Sequence, residues 1–140
     1  MDKVLRFFFD DKYDAANFEP TDDEYTALGS LLTGDFMTVD TWVLDFLDAV
    51  VRLQTGDIDH WGWSGNGWDA ELGPDGVHLQ DLHTEDWNGD YTLDFVREVT
   101  LDYLCFLLPD PDERSSALAR WETSEKRPHA AGVDIGRGPG

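Results

Sequence analysis

From Val39 to Val51 the apolar residues fall at helical intervals. Val39, Trp42, Val43, Phe46, Leu47, Val50 and Val51 make one stripe, with Asp40, Asp45, Asp48 and Arg52 off it. The spacing predicts a helix opened by Thr38 as N-cap and followed by Gly56 just past its end. A stripe of this kind packs a core. Ahead of it, Val4–Phe9 predicts a short strand expected to pair with the later sheet, and residues 10–20 read as a loop closed by Pro20. Thr21 with Glu24 three residues on forms a capping box. Tyr25, Leu28, Leu31 and Leu32 continue that helix, weakened by Gly29, as far as Gly34.

After Gly56 the period changes, and Asp57–Leu82 breaks into short runs separated by turns. Trp61, Trp63 and Trp68 flank Gly65-Asn66-Gly67. Asn-Gly between two strands signals a hairpin, because both residues tolerate positive φ. A second turn, Gly73–Gly76, leads into Val77–Leu82, so a three-stranded antiparallel meander is predicted. Trp61 and Trp63 share a strand face. Asp57 and Asp59 would share it too, unless a bulge or a late strand start separates acids from rings.

His83–Asp90 reads as a loop. Thr92–Leu108 carries Leu93, Val96, Val99, Tyr103 and Phe106 at helical spacing and is read as a helix, although its β-branched and aromatic residues also suit extended chain. Asp110-Pro111-Asp112-Glu113 opens a last helix that ends near Lys126. Beyond it, periodicity stops and Gly and Pro recur. The expected fold class is α+β: residues 1–126 form one domain, a small antiparallel β-meander packed on one face by two or three α-helices, and residues 127–140 form a flexible C-terminal tail.

Charge changes the picture more than length does. The 140 residues carry a formal charge of −20. Residues 1–113 hold five Lys/Arg against 27 Asp/Glu, a balance of −22, and the remainder is mildly basic. No Lys or Arg occurs between Arg52 and Arg97, whereas ten carboxylates do. Such a surface repels nucleic acid and anionic membranes and attracts basic proteins. The bland reading is an acidic surface kept only for solubility. No apolar run nears the ~18 residues that span a bilayer, and the N-terminus turns acidic too early for a signal peptide. The single Cys105 fits a cytoplasmic location.

Candidate chemistry is sparse. His60, His78 and His83 lie near several aspartates, yet no HExxH, CxxC or EF-hand spacing accompanies them. Cys105 sits among apolar neighbours, and no nucleophile elbow or phosphate loop exists. No catalytic residue, metal or cofactor is therefore expected, and a small metal-dependent enzyme stands only as a remote alternative. Binding has more support. Trp68 and Trp87 lie in or beside turns where burial is hard, with acids next to them. The expected partner-binding set is Asp57, Asp59, Trp68, Asp69, Glu71, Glu85, Asp86 and Trp87.

Over Thr38–Leu108, the run DHWGWSGNGW followed by GVHLQDL, set among acidic helices, resembles the small acidic immunity proteins encoded beside bacterial polymorphic and contact-dependent toxins. The resemblance implies a cytoplasmic inhibitor that blocks a cognate toxin, often a nuclease or other nucleic-acid-modifying domain. It carries no residue roles across. A phage- or plasmid-type DNA mimic acting on a DNA-binding defence protein shares the charge logic and is the alternative class.

Overall fold

The computed structural model describes residues 3–12 and 14–137. In chain order these form β1 (Leu5–Phe9), β2 (Ala16–Pro20), a 3-10 turn (Asp23–Tyr25), α1 (Thr26–Ser30) and a π-helical turn (Leu31–Phe36). Then come α2 (Asp40–Gln54), β3 (Trp61–Ser64), β4 (Trp68–Gly73), β5 (Gly76–Asp81) and β6 (Asn88–Tyr91). The chain closes with α3 (Leu93–Leu107), α4 (Pro111–Glu125) and α5 (Gly132–Arg137). Strands β3-β4-β5-β6 make an antiparallel sheet in sequential order, the expected meander with one strand added. This is a single α+β domain with helices on one sheet face.

The stripe on α2 is the floor of the core. Val43, Phe46, Leu47 and Val50 are fully or almost fully buried. They face Leu28, Leu31, Leu32 and Phe36 from α1 and the π turn, and Ala70, Leu72, Val77 and Leu79 from the inner sheet face. Each large apolar side chain so buried contributes roughly 1.5–3 kcal/mol. The helical reading of 92–108 holds, because Thr92 caps α3 by accepting the Phe95 N–H and Val96, Val99, Tyr103 and Leu104 meet the core. Asp110 caps α4 with Pro111 in its first turn, as the sequence indicates.

Several expectations are corrected. β1 does not join the meander; it pairs with β2, which forms inside the stretch read as loop. The alternation Ala16, Phe18, Pro20 turns Phe18 onto α1, and a Cβ on Gly29 would lie 2.4 Å from that ring. Gly29 is thus a point of close approach, and the helix passes through Gly34 to end at Phe36. Asp22, rather than Thr21, caps the 3-10 turn, by accepting the Glu24 N–H at 3.1 Å. Thr21 instead bonds the Val4 carbonyl. Val39, with no side-chain hydrogen bond, stands at the start of α2 in place of Thr38. Part of the 83–90 loop is β6.

The segment from Arg127 to Arg137, expected as a flexible tail, is packed. Asp48, read as lying off the stripe, is buried and receives both Arg127 (Nη2 at 2.6 Å) and the Ala130 N–H at 2.9 Å. His129 is buried against Trp121, their ring centroids 4.5 Å apart. Its Nε2–H donates to the Leu44 carbonyl at 2.8 Å and its Nδ1 accepts the Ala131 N–H at 2.9 Å. Both nitrogens are committed to the neutral ring. Ile135 is fully buried, and Arg97 ties Asp134 to α3.

Burial first of all pulls the His129 pKa below its ordinary value, helped by the Arg127 charge. Burial opposes the Asp48 charge, but the Arg127 hydrogen bonds and the Ala130 N–H outweigh it, holding that carboxyl below its usual range. Below the ordinary histidine value of 6.5 the unfolded chain binds a proton that the folded chain refuses. Stability is therefore fully present above that pH and declines beneath it, with a second loss at Asp48 below 3.8. A thermal melt at about pH 5.5 should fall below one at about pH 7.5, and His129→Gln should flatten the difference. Asp48→Ala, which strands Arg127 and the Ala130 N–H, should cost about 3 kcal/mol. Thr100 Oγ1 is buried with no hydrogen-bond partner. Thr100→Val should accordingly hold or raise the melting temperature, by about 1 kcal/mol of stability at most.

Candidate functional site

Among the described residues no helix covers the outer face of the four-stranded sheet. Strand alternation sends Trp61, Trp63, Trp68, Ala70, Leu72, Val77 and Leu79 inward and leaves the intervening positions outside. The register aligns Gly62, Glu71, His78 and Asp90 in one outer row and Ser64, Asp69, Gln80 and Asn88 in the next. This face is polar throughout and holds no Lys or Arg. His60 Nε2 lies 2.7 Å from Glu71, and His78 Nδ1 lies 2.7 Å from Asp90.

At one end of the sheet the β3–β4 loop and the β5–β6 loop are tied together. Leu82 N–H donates to the Gly67 carbonyl at 2.8 Å, and His83 Nε2 to the Asn66 carbonyl at 3.2 Å. Asp81 Oδ1 accepts the His83 and Thr84 N–H groups, both at 2.7 Å. Gln80 Nε2 reaches the carbonyls of Asp81, Glu85 and Trp87. The loop that carries Glu85, Asp86 and Trp87 is therefore braced from below. Trp87 nonetheless stands 62% exposed, the most exposed aromatic among the described residues.

The hairpin loop is held from the helical layer by Asp35. Its carboxylate, buried at the end of the π turn, accepts the Trp68 N–H at 2.9 Å and the Gly67 N–H at 3.0 Å. Burial raises its pKa, those two N–H bonds pull it down, and the Asp81 charge raises it further. The loop's glycine pattern has a reason other than the one expected from sequence. Neither Asn66 nor Gly67 has positive φ. Instead, a Cβ on Gly65 would come within 2.2 Å of the Trp63 ring and 2.6 Å of Asp35 Oδ2. Close approach, not left-handed backbone, demands glycine there.

The structure divides the expected partner-binding residues. Asp69, Glu85, Asp86 and Trp87 gather at the loop end or on the outer face beside it, with Asp69 opposite Gln80. Their carboxylates have no ion-pair partner among the described residues. Asp59 shares that freedom but lies at the far end, beyond the first residue of β3. The late strand start keeps Asp57 and Asp59 off the tryptophan face. Asp57 is committed to Arg52 Nε at 2.7 Å, and Glu71 to His60. Trp68 is corrected. It is 6% exposed, because its place in β4 points it inward, and it offers a partner little area.

Sequence reasoning missed four contributors. Asp35 gave no signal, being one acid in Gly34-Asp35-Phe36. Trp42, assigned to the core stripe, is 40% exposed at the helix start, with its ring centroid 6.4 Å from that of Trp63. Met37 and Leu82 are similarly exposed. All three of these apolar side chains belong to segments that converge on the hairpin loop. Among the described residues, no group of three His, Cys, Asp or Glu is placed to hold a metal ion. Cys105 is buried, which pushes its thiol pKa up. No helix among the described residues is long and apolar enough to cross a membrane.

Asp35→Ala should cost about 2 kcal/mol, since it strands two N–H groups in a half-buried loop. Amide hydrogen exchange should quicken first at Gly67 and Trp68; unchanged protection there would show that the hairpin holds itself. No protein-family model, curated protein or solved structure matches this chain, so the site is read from its own geometry and chemistry.

Proposed function

We propose that the protein is a stoichiometric inhibitor of the immunity type, which binds a basic cognate toxin domain and covers its active site. A nuclease or another nucleic-acid-modifying toxin fits best, because its cleft binds phosphates and would accept carboxylates in their place. One observation carries the reading. The free carboxylates Asp69, Glu85 and Asp86 stand at an outer sheet face and loop that carry no Lys or Arg, around an exposed tryptophan on a braced loop. Aromatic anchors in a pre-ordered loop lose little entropy on binding, and a ring of charge around them sets on-rate and partner choice. Four arginines are engaged elsewhere: Arg52, Arg97 and Arg127 pair with carboxylates, and Arg114 binds carbonyl oxygens.

The test is affinity capture from nuclease-treated lysate of the native host, followed by reconstitution with the captured protein. One basic protein should be retained at one-to-one ratio and should lose its activity on binding. Asp69→Lys, Glu85→Lys and Asp86→Lys together should weaken that complex by at least roughly a hundredfold, about 1 kcal/mol for each reversed charge. Undiminished affinity in the triple variant would take this surface out of the interface. Several nucleic-acid-binding proteins in place of one would favour the DNA mimic, and no partner at low salt would leave the charge as a matter of solubility.

A further inference from the structure

Beside Trp87 lies a cleft of about 350 Å³ between the β5–β6 loop and the start of α1. The exposed Trp87 ring and an edge of Trp68 supply its aromatic walls, and Thr26 and Ala27 close the helical side. Asp23 and Asp86 enter from opposite elements, the 3-10 turn and the loop. Neither carboxylate has a hydrogen-bond or ion-pair partner among the described residues. The two sides are held in place. Tyr91 Oη donates to the Glu24 carbonyl at 2.6 Å and accepts the Leu28 N–H at 3.2 Å, joining β6 to the helical wall. The Gln80 and Asp81 bonds fix the loop wall.

We propose that this cleft receives an arginine side chain of the basic partner, the guanidinium lying over Trp87 and bridging Asp23 and Asp86. The proposal rests on the inhibitor reading for its partner, but the chemistry is local. An aromatic face attracts a cation, and more so when carboxylates flank it. A planar guanidinium can stack on the ring and still offer N–H groups in two directions, which a compact ammonium cannot. Two unpaired carboxylates lining one cleft repel each other, and a cation between them relieves that cost. An apolar side chain would leave both carboxylates desolvated and unpaired.

The probe is N-acetyl-arginine amide, titrated into the full chain while the indole N–H signals are followed by NMR. N-acetyl-citrulline amide, which has the same shape without the charge, and N-acetyl-leucine amide are the controls. Trp87→Phe assigns the Trp87 signal. Trp87, Asp23 and Asp86 are all exposed, so their variants should fold. The arginine probe should shift the Trp87 indole saturably in the millimolar range, with citrulline and leucine at least roughly tenfold weaker. Asp23→Asn with Asp86→Asn should weaken arginine roughly tenfold while leaving citrulline unchanged. Equal binding of arginine and citrulline, a stronger response to leucine, or no saturable shift overturns the proposal. If the partner is captured but the probe does not bind, the cleft assignment falls and the inhibitor reading stands. Probe binding without a captured partner keeps the cleft and removes the inhibitor.

Discussion

The acceptance of two backbone N–H groups by Asp35 is the constraint on which the exposed end of the molecule depends. Without it the β3–β4 loop would be tethered only by its own strands and by the β5–β6 loop beside it, with nothing from the helical layer. The carboxylate reaches across from the π turn, and Gly67 then offers its carbonyl to Leu82. Leu82 opens the loop that displays Trp87, so the helical layer positions the loop end through this chain of contacts. The arrangement has a cost. Burial first, and then the Asp81 charge, raise the Asp35 pKa against the pull of the two N–H bonds. A π turn suits this job. Its wider winding buries Leu31, Leu32, Asp35 and Phe36 together, sending apolar side chains to the core and the carboxylate to the hairpin.

What the sequence revealed follows from how local each signal is. The stripe on α2, the Thr92 cap on α3 and the Asp110-Pro111 start of α4 are set by residues within one or two turns of each other. Period therefore places α2 and α3 correctly and capping chemistry places α4, whereas the Thr92 cap becomes visible only in the structure. The meander was visible for the same reason, through the turns at 65–67 and 73–76. β2 was not visible, since Ala16–Pro20 has five residues with an Asn, a Glu and a Pro among them. Only the Phe18 contact with Gly29 and the pairing with Phe7 make it a strand. The C-terminal segment failed as a reading for a related reason. It docks through Asp48, Arg127 and His129, polar partners about 80 residues apart that no periodicity connects.

The candidate surface was half legible. The base-free window pointed to the right region, because charge composition survives ignorance of the fold. Which acids within it are free depends on pairing across space. Asp57 meets Arg52, and Glu71 meets His60 on the neighbouring segment, while Asp69 and Asp86 meet nothing. Trp68 and Trp87 looked alike in sequence, each beside a turn and acids. Strand register separated them, turning the first into the core and leaving the second on a loop. Asp23 lay outside the window and entered only because β6 packs against the start of α1.

The distribution of charge, beyond its total, gives the uncovered face its character. A chain this acidic pays for compactness in self-repulsion, and it offsets that locally where the helices and C-terminal segment meet. The Arg127–Asp48 and Arg97–Asp134 pairs lie there, and so do the cations of Arg52 and Arg114. None of these bases reaches the outer sheet face or the loop end. Repulsion is therefore left unrelieved on one side of the molecule, next to its most exposed aromatic ring. A basic surface docked there would gain twice, from its attraction to each carboxylate and from removal of the repulsion among them. Both of these gains fall with rising salt over the ~8 Å screening length at physiological ionic strength, whereas the apolar contact with Trp87 does not. The charge contribution and the aromatic contact are thus separable by ionic strength alone.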